Sequence, residues 1–157
     1  MVNQDAFWMS QALEMALKAK AQGEVPIGAV LVSSDNRLLG RGWNQVIQTH
    51  DPTAHAEMMA IREASSYLEN YRLLDSTLYV TLEPCSMCAG ALVHSRIRRL
   101  VFAARDFKAG AAGSVYNLMR GYPLNHAIQV DEGPLQENAA ALLRDFFESR
   151  RKLDGSE

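Results

Sequence analysis

The chain has 157 residues, of which 48% are hydrophobic and 22% are charged, so disorder is excluded and we expect one domain with a sizeable core over residues 1–157. Its formal net charge of −2 argues against binding of polyanions through bulk charge, because any nucleic-acid contact would need local basic patches. Since there is neither an apolar run of membrane-spanning length nor a signal-peptide pattern at the first residues, we expect a cytoplasmic protein with no membrane contact.

The first half of the chain predicts two helices around a β-hairpin. Apolar side chains at helical spacing predict a helix over residues 5–22, which a glycine follows. The apolar run 29–32 predicts a buried strand, and residues 37–44 predict its return strand, which we expect to be irregular because it contains two glycines. A polar connection leads to a helix over residues 51–66, where an Asp-Pro pair resembles a helix cap and a first helical residue.

The second half predicts a strand–helix–strand unit, an edge strand and a last helix. Residues 77–82 and 100–104 have the pattern of apolar strands and residues 87–95 that of a helix, which indicates a parallel, right-handed unit. After a stretch rich in Gly and Ala, residues 128–130 predict the edge strand, and residues 135–152 predict a helix with one apolar face. Together these elements indicate a three-layer α/β/α domain with a central, mixed five-stranded sheet.

Cys85 and Cys88 are the only cysteines of the chain, and they lie between the strand 77–82 and the helix that follows it. A helix N-terminus stabilises thiolates, which suits metal binding and redox chemistry alike. Two thiolates do not complete a zinc site, and His55 offers a third ligand from thirty residues upstream of Cys85. Three protein ligands leave one position on zinc open, which is typical of catalytic sites. Glu57 would then be the general acid/base.

The spacing of His55 and Glu57 limits where the second helix begins. Residues two apart on a helix do not face each other. The two side chains converge on one metal ion only if they lie in the first turn or just before it. A shared site therefore requires that the helix begin later than Asp51.

A Cys-x-x-Cys pair alone also fits a thioredoxin-like redox pair or two buried thiols, and a non-catalytic zinc module would use the same ligands. The combination H-x-E…P-C-x-x-C is more specific, because it is the established signature of zinc nucleobase deaminases, a group known to include tRNA adenosine deaminases. The glutamate of that signature is not a zinc ligand. A purely structural zinc site has no need for such a carboxylate, which argues against the non-catalytic module.

With these residues in view, the chain resembles the bacterial tRNA-specific adenosine deaminases (the TadA type) of the cytidine-deaminase-like superfamily. The zinc motif indicates only the superfamily, and segments outside it indicate the tRNA enzymes. The segments that carry the resemblance are residues 23–30, 42–44, 50–57, 70–73, 77–97, 104–106 and 110–114. The nearest alternative is a deaminase of free bases or nucleosides, of the guanine or cytosine type, because guanine deaminases look similar around residues 53–57 and the cysteine pair.

The resemblance implies a hydrolase that deaminates adenosine to inosine at the wobble position of a tRNA anticodon stem-loop and releases ammonia. The arginine tRNA with anticodon ACG is the expected substrate. The resemblance also implies one zinc ion per subunit, held by His55, Cys85 and Cys88, and a homodimer in which both subunits contribute to the RNA-binding surface.

The resemblance further implies a set of substrate contacts. In the family, the residue that matches Asn44 hydrogen-bonds the target base, and residues that match Pro26 and Ile27 line the pocket. We expect Asp106, just past the strand 100–104, at the pocket mouth, where it would contact a ribose hydroxyl or the RNA backbone. His126 is a further candidate for contact with a polar substrate, although a structural or surface role fits it as well.

Local positive charge is concentrated at residues 96–99 and 150–152. Composition alone fits an RNA-binding surface and an ordinary solvated surface equally well. The prediction of an RNA partner therefore depends on the resemblance.

Overall fold

The computed structural model describes residues 4–120 and 126–153 and contains a five-stranded sheet between helices. The strands are β1 (Gly28–Val32), β2 (Leu38–Trp43), β3 (Thr77–Leu82), β4 (Arg99–Ala104) and β5 (Gln129–Glu132). The helices are α1 (Asp5–Ala21), α2 (Val46–Thr49), α3 (Ala56–Leu68), α4 (Ser86–His94) and α5 (Gln136–Leu153). The predicted strands and helices are all present, and within the described residues the short helix α2 is the only element that the pattern does not predict.

The strand order is β2-β1-β3-β4-β5, so β5 is an edge strand as predicted. β1 pairs antiparallel with β2 and β3, whereas β3, β4 and β5 run parallel, which confirms the mixed sheet and the crossover through α4. Because β1 runs opposite to its neighbour β3, the start of β1 and the ends of β3 and β4 lie at one end of the sheet. We call this the carboxyl end, and the opposite end, where β3, β4 and β5 begin, the amino end.

The sheet separates two apolar layers. Successive residues of β1 point to opposite faces, so that Leu31 packs in a cluster with α3 and α4, whereas Val30 packs in a cluster with α1 and α5. All five residues of β1 are buried, which is the burial that a continuous apolar run predicts for a strand covered on both faces. The three-layer α/β/α architecture is confirmed.

Two glycines of β2 allow α3 to pack closely against the sheet. A Cβ on Gly42 would lie 2.3 Å from the carbonyl oxygen of Ala56, and one on Gly40 would lie 2.5 Å from that of Ala60. The glycines therefore serve helix packing, and the irregularity of the hairpin is instead a register shift near the end of β1. This packing fixes the N-terminus of α3 beside the carboxyl end of the sheet.

The start of α3 differs from the predicted Asp51–Pro52 cap. Asp51 closes a turn instead, in which its Oδ1 accepts hydrogen bonds from the N–H and the hydroxyl of Thr53 at 2.8 and 2.7 Å. The helix begins at Ala56, and His55 precedes it in an extended conformation. The later start meets the condition under which His55 and Glu57 can share a site.

The last helix is less buried than its apolar face predicts. Ala139 and Phe146 are buried, whereas Phe147 is 46% exposed. No helix within residues 4–120 and 126–153, α5 included, is long and apolar enough to cross a membrane.

Candidate active site at the carboxyl end of the sheet

The N-termini of α3 and α4 bring together the three predicted metal ligands. His55 and Cys85 each occupy the residue just before a helix, in extended conformations, and Cys88 lies in the first turn of α4. Nδ1 of His55 lies 3.6 Å from Sγ of Cys85 and 3.5 Å from Sγ of Cys88. Strand β3 ends at Leu82, so both cysteines follow directly from the carboxyl end of the sheet.

The spacing of these three atoms fits a tetrahedral metal ion. The ligand atoms of His55, Cys85 and Cys88 all lie within 4.8 Å of one another. Zinc bonds of about 2.0 Å to nitrogen and about 2.3 Å to sulfur, at a tetrahedral angle, place the two ligand atoms about 3.5 Å apart. The observed distances from nitrogen to sulfur match this separation, and one nitrogen with two sulfurs is a donor set that zinc prefers.

The pKa values of the two thiols are shifted in opposite directions. A hydrogen bond from Cys88 lowers the pKa of Cys85 to about 4, with a further contribution from His55. The pKa of Cys88 is raised, because this thiol donates to Cys85 and is buried. A second thiolate beside the first is therefore costly unless a cation compensates it, and a bound divalent metal would favour both thiolates.

Glu57 lies in the first turn of α3, and only 4% of its surface is exposed. Burial raises the pKa of its carboxyl to about 7, the negative charge of Cys85 adds to the rise, and a backbone hydrogen bond and the charge of His55 oppose it. This value lies near neutral pH, where a carboxyl group can both accept and release a proton.

A cavity of about 160 Å³ opens beside the ligand cluster. Its lining consists of Ile27, His55, Glu57, Leu82, Glu83, Cys85, Asp106 and Ala109. The structure thus brings two predicted substrate contacts, Ile27 at the start of β1 and Asp106 after β4, to the same pocket as the predicted acid/base and two predicted metal ligands.

Asn44 and Pro26 lie next to this lining. Oδ1 of Asn44 accepts the N–H of Ala56, the first residue of α3, at 2.8 Å. The backbone N–H of Asn44 donates to the carbonyl oxygen of Ile27 at 3.2 Å. Pro26 is buried and directly precedes Ile27. Asn44 therefore ties the start of α3 to the wall of the pocket.

His126 lies at the amino end of the sheet, away from the other predicted site residues. Its Nε2 lies 2.6 Å from the carbonyl oxygen of Ile97, and because a carbonyl only accepts, Nε2 carries the proton. Ile97 precedes β4 and His126 precedes β5, so both lie where these parallel strands begin. The structure does not bring His126 to the pocket of its own subunit.

Glu83 is a site residue that sequence reasoning missed. Its carboxylate is fully buried and accepts the N–H groups of Asp106, Ala112 and Ser114 at 3.1, 2.9 and 3.0 Å, together with the hydroxyl of Ser114. A Cβ on Gly110 would lie 2.5 Å from the carboxyl carbon of Glu83. Glu83 thus organises residues 105–114, which we call the rim loop, around a single buried acceptor.

The electrostatics of Glu83 agree with this role. Burial acts to raise the pKa of Glu83, but the hydrogen bonds from Ser114 and from the backbone outweigh it and hold the pKa below its ordinary value. The sequence does carry a signal, since a carboxylate stands between Leu82 and Pro84 at the end of a buried strand and needs partners there. The small residues of 109–114 are what allow the rim loop to approach it.

Glu24, which lies before β1, plays a similar part for another segment of backbone. It is 1% exposed, and its two carboxylate oxygens accept the N–H groups of Ile47 at 3.1 Å and Gln48 at 2.7 Å. These donors belong to α2, which begins two residues after Asn44. A carboxylate from before β1 therefore satisfies the first turn of the helix that the local pattern does not predict.

The sequence comparisons place the chain among deaminases. Residues 2–104 match the family described as the cytidine and deoxycytidylate deaminase zinc-binding region. The tRNA-specific adenosine deaminase of Haemophilus influenzae is 53% identical over 148 residues, which cover 94% of this chain and 86% of that protein. The tRNA-specific adenosine deaminase of Bacillus subtilis is 44% identical over 151 residues, which cover 96% and 93%.

Solved structures give the same fold. A structure from a study of A-to-I editing by tRNA:A34 deaminases at the wobble position of transfer RNA has a TM-score of 0.85 and 43% identity, covering 88% of this chain and 99% of that one. A guanine deaminase from Nitrosomonas europaea has a TM-score of 0.77 and 30% identity, covering 93% and 85%.

Proposed function

This chain belongs to the tRNA-specific adenosine deaminases of the cytidine and deoxycytidylate deaminase family, and from that premise we propose that it converts adenosine to inosine at the wobble position of tRNA. We take the arginine tRNA with anticodon ACG as the substrate, as the family resemblance implies. The observation that carries the proposal is that Glu57 lines one pocket with His55 and Cys85, two members of the ligand cluster.

We assign one zinc ion per subunit to His55, Cys85 and Cys88. Zinc bound there would supply Lewis acidity and lower the pKa of a water molecule toward neutrality. For this chemistry, the chain holds three ligands at tetrahedral spacing at the N-termini of two helices. Within the described residues, the cluster contains no fourth protein ligand.

Glu57 is the group that moves protons. Water adds to C6 of adenine and the bond from C6 to the exocyclic nitrogen breaks, so the oxygen of inosine comes from water and the nitrogen leaves as ammonia. One proton of the water passes through Glu57 to N1 of the ring, and the other passes through Glu57 to the departing amino group. A pKa of about 7 lets the same carboxyl accept and return each proton.

The hydrogen bond that Asn44 makes within the protein determines which of its side-chain groups can bind a base. Because Oδ1 accepts the N–H of Ala56, the side-chain NH₂ is the group left for a ligand. We propose that it donates to an acceptor nitrogen of adenine, while Ile27, with Pro26 behind it, supplies an apolar wall. His126 is not part of this proposed constellation, because it is bonded at the other end of the sheet.

Asp106 suits recognition of a ribose. Its Oδ1 accepts the N–H groups of Lys108 and Ala109, which fixes the carboxylate at the pocket mouth. We propose that the carboxylate accepts a hydrogen bond from a ribose hydroxyl and so favours RNA over DNA.

We propose that the chain forms a homodimer and that the homodimer binds a tRNA anticodon stem-loop. A base in a duplex cannot reach an enclosed pocket, whereas an unstacked loop base can be drawn into it. The predicted basic segment 96–99 contributes less free charge than its sequence suggests, because Arg99 is paired with Asp5 and Asp131. Local contacts at the pocket therefore have to supply much of the affinity.

The second candidate is a deaminase of a free base, which the fold shared with a guanine deaminase favours. The deciding experiment offers a synthetic anticodon stem-loop with adenosine at the wobble position beside free adenosine, guanine and cytidine. We expect inosine in the stem-loop and no turnover of the free compounds. Turnover of guanine or cytidine alone would contradict the tRNA proposal and leave the zinc chemistry in place.

A further inference from the structure

Phe107 is the most exposed large apolar side chain in the described part of the chain, with 78% of its surface exposed. Single exposed apolar residues are common on protein surfaces, so exposure alone does not mark a site. The position of Phe107 is more informative, because it lies in the rim loop between Asp106 and Ala109, which both line the pocket.

The backbone on either side of Phe107 is held by hydrogen bonds. Asp106 donates its N–H to Glu83 at 3.1 Å. The Oδ1 atom of Asp106 accepts the N–H groups of Lys108 at 3.0 Å and Ala109 at 3.1 Å, which closes a turn around Phe107. The exposed ring is therefore carried by an ordered turn that is anchored to a buried carboxylate.

The proposed substrate brings unpaired nucleotides to this turn. A base drawn into the pocket leaves its neighbours in the loop without their stacking partner, and proteins bind unpaired bases largely by stacking them on aromatic side chains. The net charge of −2 provides little general attraction for RNA, so such contacts carry more of the binding. We propose that Phe107 is the stacking platform for a nucleotide adjoining the target adenosine, an inference that rests on the proposed function.

The residue after Phe107 supports the same partner. Lys108 is exposed and places a cation next to the platform, where the phosphate of a stacked nucleotide would pass. A second copy of the chain is the other partner that would cover the ring. The experiment separates the two.

The test combines enzyme variants with substrate variants. Phe107→Ala and Phe107→Tyr are assayed for kcat and KM on the anticodon stem-loop and on two stem-loops in which one neighbour of the target adenosine is abasic. Tyr67→Ala is the matched control, because Tyr67 is an aromatic residue 61% exposed near the far end of α3 from Glu57. Sedimentation of each variant reports its oligomeric state.

Stacking predicts coupling between the ring and one neighbouring base. Phe107→Ala should raise KM on the intact stem-loop by about 5- to 150-fold, which is the range for loss of one stacked base, with kcat nearly unchanged. Phe107→Tyr should restore KM, and Tyr67→Ala should leave it unchanged. For the wild type, KM should be higher on one of the two abasic substrates than on the intact stem-loop. For Phe107→Ala, KM on that abasic substrate should differ little from KM on the intact stem-loop.

Two results would overturn the inference. One is that neither abasic position is coupled to Phe107. The other is that Phe107→Ala weakens the dimer and its KM recovers at protein concentrations that restore the dimer, which would make the ring a subunit contact. Failure of the wild type to act on the intact stem-loop would instead reject the proposed function, and the platform with it.

Discussion

Both ends of the sheet carry a cluster of ionisable side chains beside a cavity, but the charged groups of the two clusters have different partners. At the amino end, Arg99 donates two hydrogen bonds of 2.9 Å to Asp5 and one of 2.8 Å to Asp131, and Tyr79 donates to Asp5 at 2.8 Å. The cavity there is about 450 Å³, against about 160 Å³ at the carboxyl end. Three residues that line the larger cavity, Asp5, Tyr79 and Arg99, are thus already bonded to other protein groups.

The pKa values of one carboxyl group in each cluster, Asp5 and Glu57, are shifted in opposite directions. A hydrogen bond from Arg99 holds the pKa of Asp5 below its ordinary value, whereas burial raises the pKa of Glu57 to about 7. Charges at the amino end compensate one another and stabilise the fold. At the carboxyl end, a carboxyl group with a raised pKa and two thiols lie together, and in the proposed function a metal ion and a substrate would compensate their charges. Shifted pKa values therefore favour this end as the functional site, although its cavity is the smaller of the two.

Removal of the charge of Glu57 is expected to have the largest effect on activity. Glu57→Gln keeps the shape of the side chain and removes proton transfer, so inosine formation should fall by about 10²- to 10⁴-fold. Zinc content should stay at the wild-type level, because Glu57 is not one of the ligands. Near wild-type turnover would show that another group is the acid/base.

Substitution of Glu83 tests whether the rim loop depends on one acceptor. Glu83→Ala leaves several N–H groups without their acceptor, so the rim loop should move and KM for the stem-loop should rise on the order of 10- to 100-fold. Zinc content should not change. Glu83→Gln keeps one acceptor oxygen and should fall between Glu83→Ala and the wild type; a variant with unchanged KM would mean that the loop is held by other contacts.

The amino end should affect stability and leave the chemistry unchanged. Arg99→Ala removes charge-assisted hydrogen bonds to Asp5 and Asp131, so the free energy of unfolding should fall by about 1.5 to 3 kcal/mol. Urea denaturation measures this change. The kcat and KM well below the unfolding transition should match the wild type, and a large fall in kcat would show that the two ends are coupled.

The smallest expected effect is a dependence of stability on pH. Because the folded pKa of Asp5 is lowered, its stabilising contribution is fully present above the ordinary value of 3.8 and is lost as the pH falls through the folded value. The stability difference between wild type and Asp5→Asn should therefore be largest near neutral pH and shrink in acid. A difference that stays constant across the pH series would contradict an ion-pair role for Asp5.

Much of the fold can be predicted from the sequence wherever local patterns determine the structure. The strand Thr77–Leu82 is predicted to the residue, because a short run of β-branched, aromatic and aliphatic residues is typical of a strand. The sequence also predicts that His55, Cys85 and Cys88 lie together, because two cysteines and an upstream histidine with this spacing are typical of one metal site. The condition on His55 and Glu57 comes from helix geometry alone.

The features that sequence reasoning missed all depend on distant partners. The start of α3 is capped by Asn44 from twelve residues away, and α2 depends on Glu24. The rim loop depends on Glu83, which lies 23 residues before Asp106 in the chain. Periodicity reports only neighbours along the chain, so contacts of this kind lie outside what it can predict.

We propose that His55, Cys85, Cys88 and Glu57 form one deaminase site, and a zinc titration tests this claim most directly. Metal-free protein is titrated with zinc while bound zinc and inosine formed in the stem-loop are both measured, for the wild type, Glu57→Gln and Cys88→Ser. We expect the wild type to bind one zinc ion per chain, with inosine formation rising in proportion. Glu57→Gln should bind the same amount of zinc but form inosine about 10²- to 10⁴-fold more slowly, and Cys88→Ser should bind zinc weakly. Full zinc occupancy and turnover in Cys88→Ser, or turnover by the wild type before zinc is added, would contradict the claim.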